Sequence, residues 1–356
     1  MRILYGVTGE GLGHTMRARA LAQHLLARGH VVLMAASGRA VGVLRGHGLD
    51  TVAIDGFELR YADGALRRGR TVGANLRGAF SALARNVEVG LTDVVRFDPD
   101  VVLTDFESFA HVAAKLLGRP VVSFDHQHVL DRFVHPLAVR ERLSSGFGAT
   151  RAVVRAKTPS CAHYIVTSFF FPAVRGSKAA STTLVGPVVR PEISSARPWR
   201  GDHVVVYQTA KGDPRLLPAL ASVPRVRFVV YGLGRTERIG NIELREFHEA
   251  RFVDDLASAR AVVANGGFTT LAEAVVLGKP VLSVPVRHQA EQELNAAWLD
   301  ALGLGVYARR IDADTLGTFL ARDWPTVRRD PRLYRGTADA CVAVESALAR
   351  AIAEAA

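Results

Sequence analysis

The sequence is short of cysteine, of aromatic residues, of long apolar runs and, in its first half, of acids. Two cysteines in 356 residues, Cys161 and Cys341, cannot build a disulfide framework or a four-cysteine metal site, so a reducing, cytoplasmic setting is expected. No stretch approaches the ~20 uninterrupted apolar residues that a bilayer span needs. The opening Met1-Arg2-Ile3-Leu4-Tyr5-Gly6 is expected to enter a strand and a glycine loop, not a secretory leader. Aromatic residues make up 7% of the chain. They do not interleave with the basic residues as in a strand-stacking platform, so nucleic acid is not an expected partner. Residues 1–186 hold 23 Lys/Arg against 14 Asp/Glu and so carry +9 of the net charge of +11. The basic residues are densest at Arg60, Arg67, Arg68, Arg70, Arg77 and Arg85. Such a segment suits a phosphate-bearing ligand or peripheral contact with the inner face of an acidic membrane; a solvated face in an arginine-rich chain is the other reading.

What is present is alternation. Apolar, β-branched runs at 2–8, 30–36, 51–54, 101–105, 120–125, 163–168 and 182–186 are separated by helical spacing at 14–28, 74–95 and 107–118. A second series of runs follows at 203–209, 227–233, 242–245, 261–264, 280–285 and 304–308, with helical patterns at 213–221, 253–259, 269–278, 289–302 and 312–322. Strand, helix, strand in that order predicts parallel sheets with right-handed crossovers. The proline-punctuated stretch 187–201 lacks periodicity and reads as a linker. The fold class expected is α/β, with two Rossmann-like, doubly wound domains facing across a cleft: residues 1–186 and 202–332, with an alanine-rich helix at 333–356 free to pack back on the first domain.

In such sheets ligands sit beyond the carboxyl ends of the strands. The first strand ends in Thr8-Gly9-Glu10-Gly11-Leu12-Gly13-His14, where glycines let N–H groups point at an anion with a helix dipole behind them. The spacing is G-x-G-x-G-H, and the strand 30–36 ends without an acid for a ribose, so an NAD dehydrogenase is disfavoured. His14 opens the helix, and imidazole is suited to take a proton from a hydroxyl; lining the loop is its bland alternative. Asp105 and Glu107 end the strand 101–105, and Asp125-His126-Gln127-His128 ends the next. Either Asp105 or Asp125 could orient His14 as in a triad, and Glu10, His126 and His128 are candidate acceptor contacts. No third and fourth ligand of suitable spacing makes the His pair a metal site. In the second half, Asn265-Gly266-Gly267-Phe268-Thr269-Thr270 follows an apolar strand and opens a helix, with Thr269 or Thr270 placed to cap it. Glu273 lies one turn on, followed by Gly278-Lys279-Pro280 and by Glu291-Gln292-Glu293-Leu294-Asn295-Ala296. Lys211 is a further candidate phosphate contact.

The block from Asn265 to Ala296 resembles the donor signature of GT-B glycosyltransferases, which in plant natural-product enzymes reads H-C-G-W-N-S-x-x-E, G-x-P, D-Q-x-x-N-A. It is also similar to the bacterial N-acetylglucosaminyltransferases of peptidoglycan-precursor synthesis, which pair that block with a first-domain glycine loop ending in His. A group of such proteins opens with G-E-G-L-G-H and contains G-G-F-T-T, as here. The resemblance implies an inverting, metal-independent transfer of a sugar, UDP-linked by likeness, to a small-molecule, glycan or lipid-linked acceptor, with no cofactor beyond the donor. It implies His14 as general base, Gly13 and Gly266 to Thr270 at the diphosphate, and Glu273 at the ribose. Glu291 and Gln292 would contact sugar hydroxyls. Backbone near Phe252 and Val253 would contact the base; the charge pattern, not the resemblance, puts Arg67 and Arg68 on the acceptor side. Asn265 stands where plant enzymes have histidine, and Glu291 where they have aspartate. A sugar-nucleotide 2-epimerase, drawing on Asp105, Glu107 and Asp125 as acids and bases, and a non-catalytic sugar-nucleotide binder share this fold. The first would turn over without an acceptor, and the second would tolerate loss of His14.

Overall fold

In the computed structural model, which describes residues 1–9, 11–56, 61–62, 65–66, 85–208, 213–324 and 330–356, each alternating series forms its own seven-stranded sheet. The first holds β1 (Arg2–Val7), β2 (Val31–Ser37) and β3 (Thr51–Ile54). A separate antiparallel pair, β4 (Tyr61–Ala62) with β5 (Ala65–Leu66), stands outside it, and β6 (Val101–Asp105), β7 (Val121–Asp125), β8 (His163–Thr167) and β9 (Thr182–Val185) complete it. Its order, β3-β2-β1-β6-β7-β8-β9, is parallel throughout. The second holds β10 (His203–Tyr207), β11 (Arg227–Tyr231), β12 (Glu237–Ile239), β13 (Ile242–Arg245), β14 (Ala261–Ala264), β15 (Val281–Ser283) and β16 (Gly305–Tyr307), ordered β12-β13-β11-β10-β14-β15-β16. β6, β7, β8, β14 and β15 are buried along their whole length. Helices cover both faces, so these strands read as continuous apolar runs.

The sequence reading passes over β12. Its three exposed residues pair antiparallel with β13 at the sheet edge, and a short, charged strand is how an open edge is protected. Of the helix expected at 74–95, residues 74–84 lie outside the described residues, and 85–89 are helical.

Six helices position the site: α1 (Leu12–Ala27), α2 (Ser108–Leu116), α3 (Glu249–Ser258), α4 (Phe268–Val276), α5 (Ala290–Ala301) and α6 (Arg332–Ala355). α3 starts at Glu249, ahead of its apolar periodicity, because the His248 ring accepts from the Arg251 N–H and caps it. α6 returns to the first domain, where Ala340, Cys341, Val344, Ala347, Leu348 and Ala351 join the core beneath β1, β6 and β7. It crosses the linker backbone to backbone. A Cβ on Gly186 would stand 1.9 Å from the Arg332 carbonyl oxygen, and one on Gly336 would stand 2.4 Å from that of Pro187, so both positions need glycine.

Strand order reverses between β1 and β6 in one sheet and between β10 and β14 in the other. Those two switch points are where a doubly wound sheet opens a crevice, and the chain packs them against each other. One apolar cluster runs through both domains, from Val129, Phe133, Phe169 and Phe170 to Phe268 and Leu294. Phe268 lies between the rings of His126 (3.9 Å, 11°) and Phe169 (6.1 Å, 8°), and Phe170 stacks on Trp298 at 5.0 Å.

His135 closes this interface. Trp298 Nε1–H donates to its Nδ1 at 3.1 Å, while its Nε2 lies 3.0 Å from the Val129 carbonyl. Burial pushes the imidazole down to about 4 from 6.5, and protonation of Nδ1 would break the Trp298 bond. Below pH 6.5 the unfolded chain takes up a proton that the folded one refuses. Stability is therefore lost as pH falls from about 6.5 to about 4, by up to about 3 kcal/mol for this group. A His135→Gln variant, able to accept from Trp298 and donate to Val129, should lose correspondingly less between pH 7 and 4 in denaturant titrations. Parallel losses in the two proteins would acquit His135.

Candidate active site

The two switch points bring two helix N-termini together. α1 begins after Gly11 (φ 82°) and α4 after Gly267, and neither first turn is capped by a side chain. Thr269 and Thr270, expected as caps, fall inside the first turn of α4. Gly13 faces Thr269 so closely that a Cβ would stand 2.4 Å from its Oγ1. Free N–H groups and the positive ends of two helix dipoles thus converge from opposite domains, an arrangement suited to an anion.

His14, in the first turn of α1, meets Asp105 because β1 and β6 are neighbours, with Val7 in register with Asp105. The His14 Nδ1 lies 2.8 Å from Asp105 Oδ1. Arg17, one turn along α1, grips the same buried carboxylate through Nε (3.0 Å) and Nη2 (2.5 Å). Burial alone would lower the Arg17 pKa, but Asp105 carries it upward. Arg17 Nη2 also lies 3.0 Å from His14 Nδ1, but the Asp105 carboxylate is the acceptor the two share at 2.8 and 2.5 Å. With Nδ1–H donated to Asp105, Nε2 of His14 is the accepting nitrogen, and Gln127 Nε2 donates to it at 3.0 Å. The same amide reaches Glu291 Oε2, in the other domain, at 3.3 Å.

Asp125, the other carboxylate considered as a partner of His14, lies one strand further out and is taken by its own neighbours. It accepts from Ser123 Oγ (2.6 Å), the His128 N–H (2.9 Å) and His128 Nδ1 (2.7 Å). Burial would raise its pKa, but His128 and Ser123 hold it well below the ordinary range. His126 and His128 are both buried. His126 has Nδ1 2.7 Å from the Thr167 carbonyl and Nε2 2.7 Å from Asn295 Oδ1. Burial lowers its pKa, with the charge of Glu291 opposing. The structure thus places the two histidines in the frame of the site, where sequence reasoning had them at an acceptor. Glu107 caps α2, accepting from Phe109 N–H (2.8 Å) and Ala110 N–H (2.7 Å).

The loop before α4 is shaped by amides. Gly266 N–H and Val286 N–H both donate to Gln292 Oε1, at 3.1 and 2.9 Å. Asn295 Nδ2 donates to the Gly266 carbonyl and Asn265 Nδ2 to that of Val284, each at 3.0 Å. Gly266 packs so tightly on α5 that a Cβ would lie 2.3 Å from the Gln292 backbone oxygen. Asn265 and the carbonyl of Gln292 therefore brace the loop. Glu273 is fully buried, and Arg190 of the linker donates to it through Nε (2.7 Å) and Nη2 (3.3 Å). Burial raises the Glu273 pKa, with Arg190 opposing. Phe252 and Val253 turn their side chains into the core, Phe252 among Tyr207, Tyr231 and Phe247.

Arg17, Gln127, Arg190 and Asn295 are site residues that sequence reasoning did not single out. Arg17 carried a signal, one turn beyond His14; Arg190, in an aperiodic linker, carried none. Glu10, Lys211, Arg67 and Arg68 lie outside the described residues, as do Arg60, Arg70 and Arg77; Arg85 pairs with Asp55. Beyond the strand ends of the first domain lies a largely apolar cavity of about 570 Å³, lined by Thr8, Ser37, Asn86, Phe109, Leu116 and Lys157 among others. Among the described residues, no three His, Cys, Asp or Glu side chains are grouped as metal ligands, and no helix is long and apolar enough to cross a membrane.

A family model described as glycosyl transferase family 1 matches residues 1–323. An uncharacterized glycosyltransferase of Methanosarcina mazei is 27% identical over 331 residues, 86% of this chain and 85% of its own length. The Nitratidesulfovibrio vulgaris enzyme named UDP-N-acetylglucosamine–N-acetylmuramyl-(pentapeptide) pyrophosphoryl-undecaprenol N-acetylglucosamine transferase is 30% identical over 343 residues, 88% of this chain and 85% of its own. Among solved structures, the kitacinnamycin glycosyltransferase superposes with a TM-score of 0.64 at 18% identity, covering 97% of this chain and 98% of its own. The calicheamicin glycosyltransferase gives 0.63 at 19%, covering 98% and 99%. The shared fold is GT-B.

Proposed function

The chain belongs to glycosyl transferase family 1, and we propose that it moves a sugar from a UDP-sugar to an acceptor hydroxyl with inversion and without a metal. One observation carries this reading: His14, tied to Asp105 at 2.8 Å, stands opposite the uncapped start of α4. The acceptor O–H gives its proton to His14 Nε2 as its oxygen bonds the anomeric carbon. The bond from that carbon to the diphosphate breaks, and the electron pair leaves with the nucleoside diphosphate. Attack and departure on opposite faces invert the centre. The charge on the leaving group is met by the first-turn N–H groups of α4, with those of α1 facing them. Glu273 keeps lone pairs beyond those given to Arg190, since a carboxylate offers about four acceptor sites, and these serve the ribose. Glu291 serves a sugar hydroxyl. UDP is favoured by the donor in the printed name of the Nitratidesulfovibrio vulgaris relative. The apolar cavity beside Thr8 is assigned to the acceptor. An epimerase is less well supported, because all three of its acids are engaged: Asp105 with His14 and Arg17, Glu107 in capping α2 and Asp125 in holding His128.

A thermal-shift series with UDP-N-acetylglucosamine, UDP-glucose and dTDP-glucose tests the donor. A sugar nucleotide at a hundred times its Kd should raise apparent stability by about 2.7 kcal/mol, equally with excess EDTA and with Mg²⁺. No shift with any of the three would sink the donor reading. A shift that needs Mg²⁺ or Mn²⁺ would overturn metal independence.

A further inference from the structure

Gln127 sits where the base of one domain and the carboxylate of the other meet. The His14 lone pair that its amide occupies is the one that must receive a proton, because the other ring nitrogen faces Asp105. Reversing the amide would set its oxygen against Glu291 Oε2, acceptor against acceptor at 3.3 Å, so its partners fix the orientation. Its carbonyl Oε1 is buried and has no hydrogen-bond partner among the described residues. A buried acceptor left unmatched is costly and marks a place that something else completes.

We propose that Gln127 is a cover on the base, which keeps His14 from activating water over a bound donor and is displaced by the acceptor hydroxyl; this rests on the transferase reading above. The uncovered side reaction is hydrolysis. Water gives a proton to His14 Nε2 as its oxygen bonds the anomeric carbon, the carbon–diphosphate bond breaks with its electron pair leaving on the diphosphate, and free sugar is lost. Water must break the amide–imidazole bond with nothing else to gain. An acceptor held in the first-domain cavity beside Thr8 brings binding energy from its remote parts and can draw on it to displace the amide. Once the amide swings away, Oε1 is free to accept from a second hydroxyl, which rewards a polyhydroxylated substrate over a single water.

The test uses the full chain with UDP-N-acetylglucosamine and UDP-glucose, no acceptor, and two measurements: nucleoside-diphosphate release and calorimetric donor binding. Gln127→Ala and the volume-conserving Gln127→Met should release diphosphate roughly three- to tenfold faster than wild type, the span of one neutral hydrogen bond, with donor Kd within about twofold. Adding His14→Ala to Gln127→Ala should return release to the wild-type rate or below. A purely structural Gln127 would weaken donor binding without raising hydrolysis. Unchanged release in both variants, or raised release that survives loss of His14, overturns the cover. If neither nucleotide binds the wild type, the transferase reading fails first and the cover falls with it.

Discussion

His14→Ala should lower the transfer rate by about 10²–10⁴-fold, which is about 3–5 kcal/mol of transition-state stabilisation. The effect should appear in kcat, because the proton moves only as the new bond forms, and donor Kd should stay within about twofold because the diphosphate site proposed at α4 lies in the other domain. His14→Gln is the companion control, since it can still meet Asp105 and so preserves the packing of α1 while removing the base. A variant active within tenfold of wild type would move the base to a carboxylate. Asp105 would be the one to examine, because it alone of the acids considered shares hydrogen bonds with His14.

How much of this was legible in the sequence follows from what each feature depends on. The two sheets were legible because strands covered on both faces are apolar from end to end, as in Val101-Val102-Leu103 and Val262-Val263-Ala264. Membership of the family was legible because the block from Asn265 to Ala296 is a local string, and local strings survive without knowledge of the fold. The partnership of His14 with Asp105 was half legible. Both lie at carboxyl ends of strands, but so does Asp125, and the choice between them rests on strand order, which puts β6 beside β1. The Asp-His-Gln-His run offered Asp125 as a partner for His14 and its two histidines as acceptor contacts. A turn at the end of β7 in fact folds His128 back onto Asp125 and buries His126 against Asn295, leaving Gln127 to reach His14. Arg190 was invisible, because its partner Glu273 lies 83 residues away on another element and no periodicity in the linker betrays it.

That pairing sets the second large effect. Glu273→Ala should cost about 3–5 kcal/mol of stability, because it strands the Arg190 guanidinium beside a buried gap. Donor affinity should fall in the same variant, and the single substitution cannot say whether the ribose has lost a partner or α4 has lost its anchor. The double variant Glu273→Leu with Arg190→Met separates the two. It removes both charges together, which is often neutral or favourable when the replacements fill the same volume. Glu249, the other acid near Arg190, keeps Arg19 at 3.3 Å. The double variant should therefore recover most of the lost stability in denaturant titrations. Its donor affinity should remain at least tenfold below wild type, the loss of about 1.4 kcal/mol expected when a bound hydroxyl has no carboxylate to donate to. Recovery of stability and affinity together would assign Glu273 to Arg190 alone and leave the ribose to be held elsewhere in the cleft.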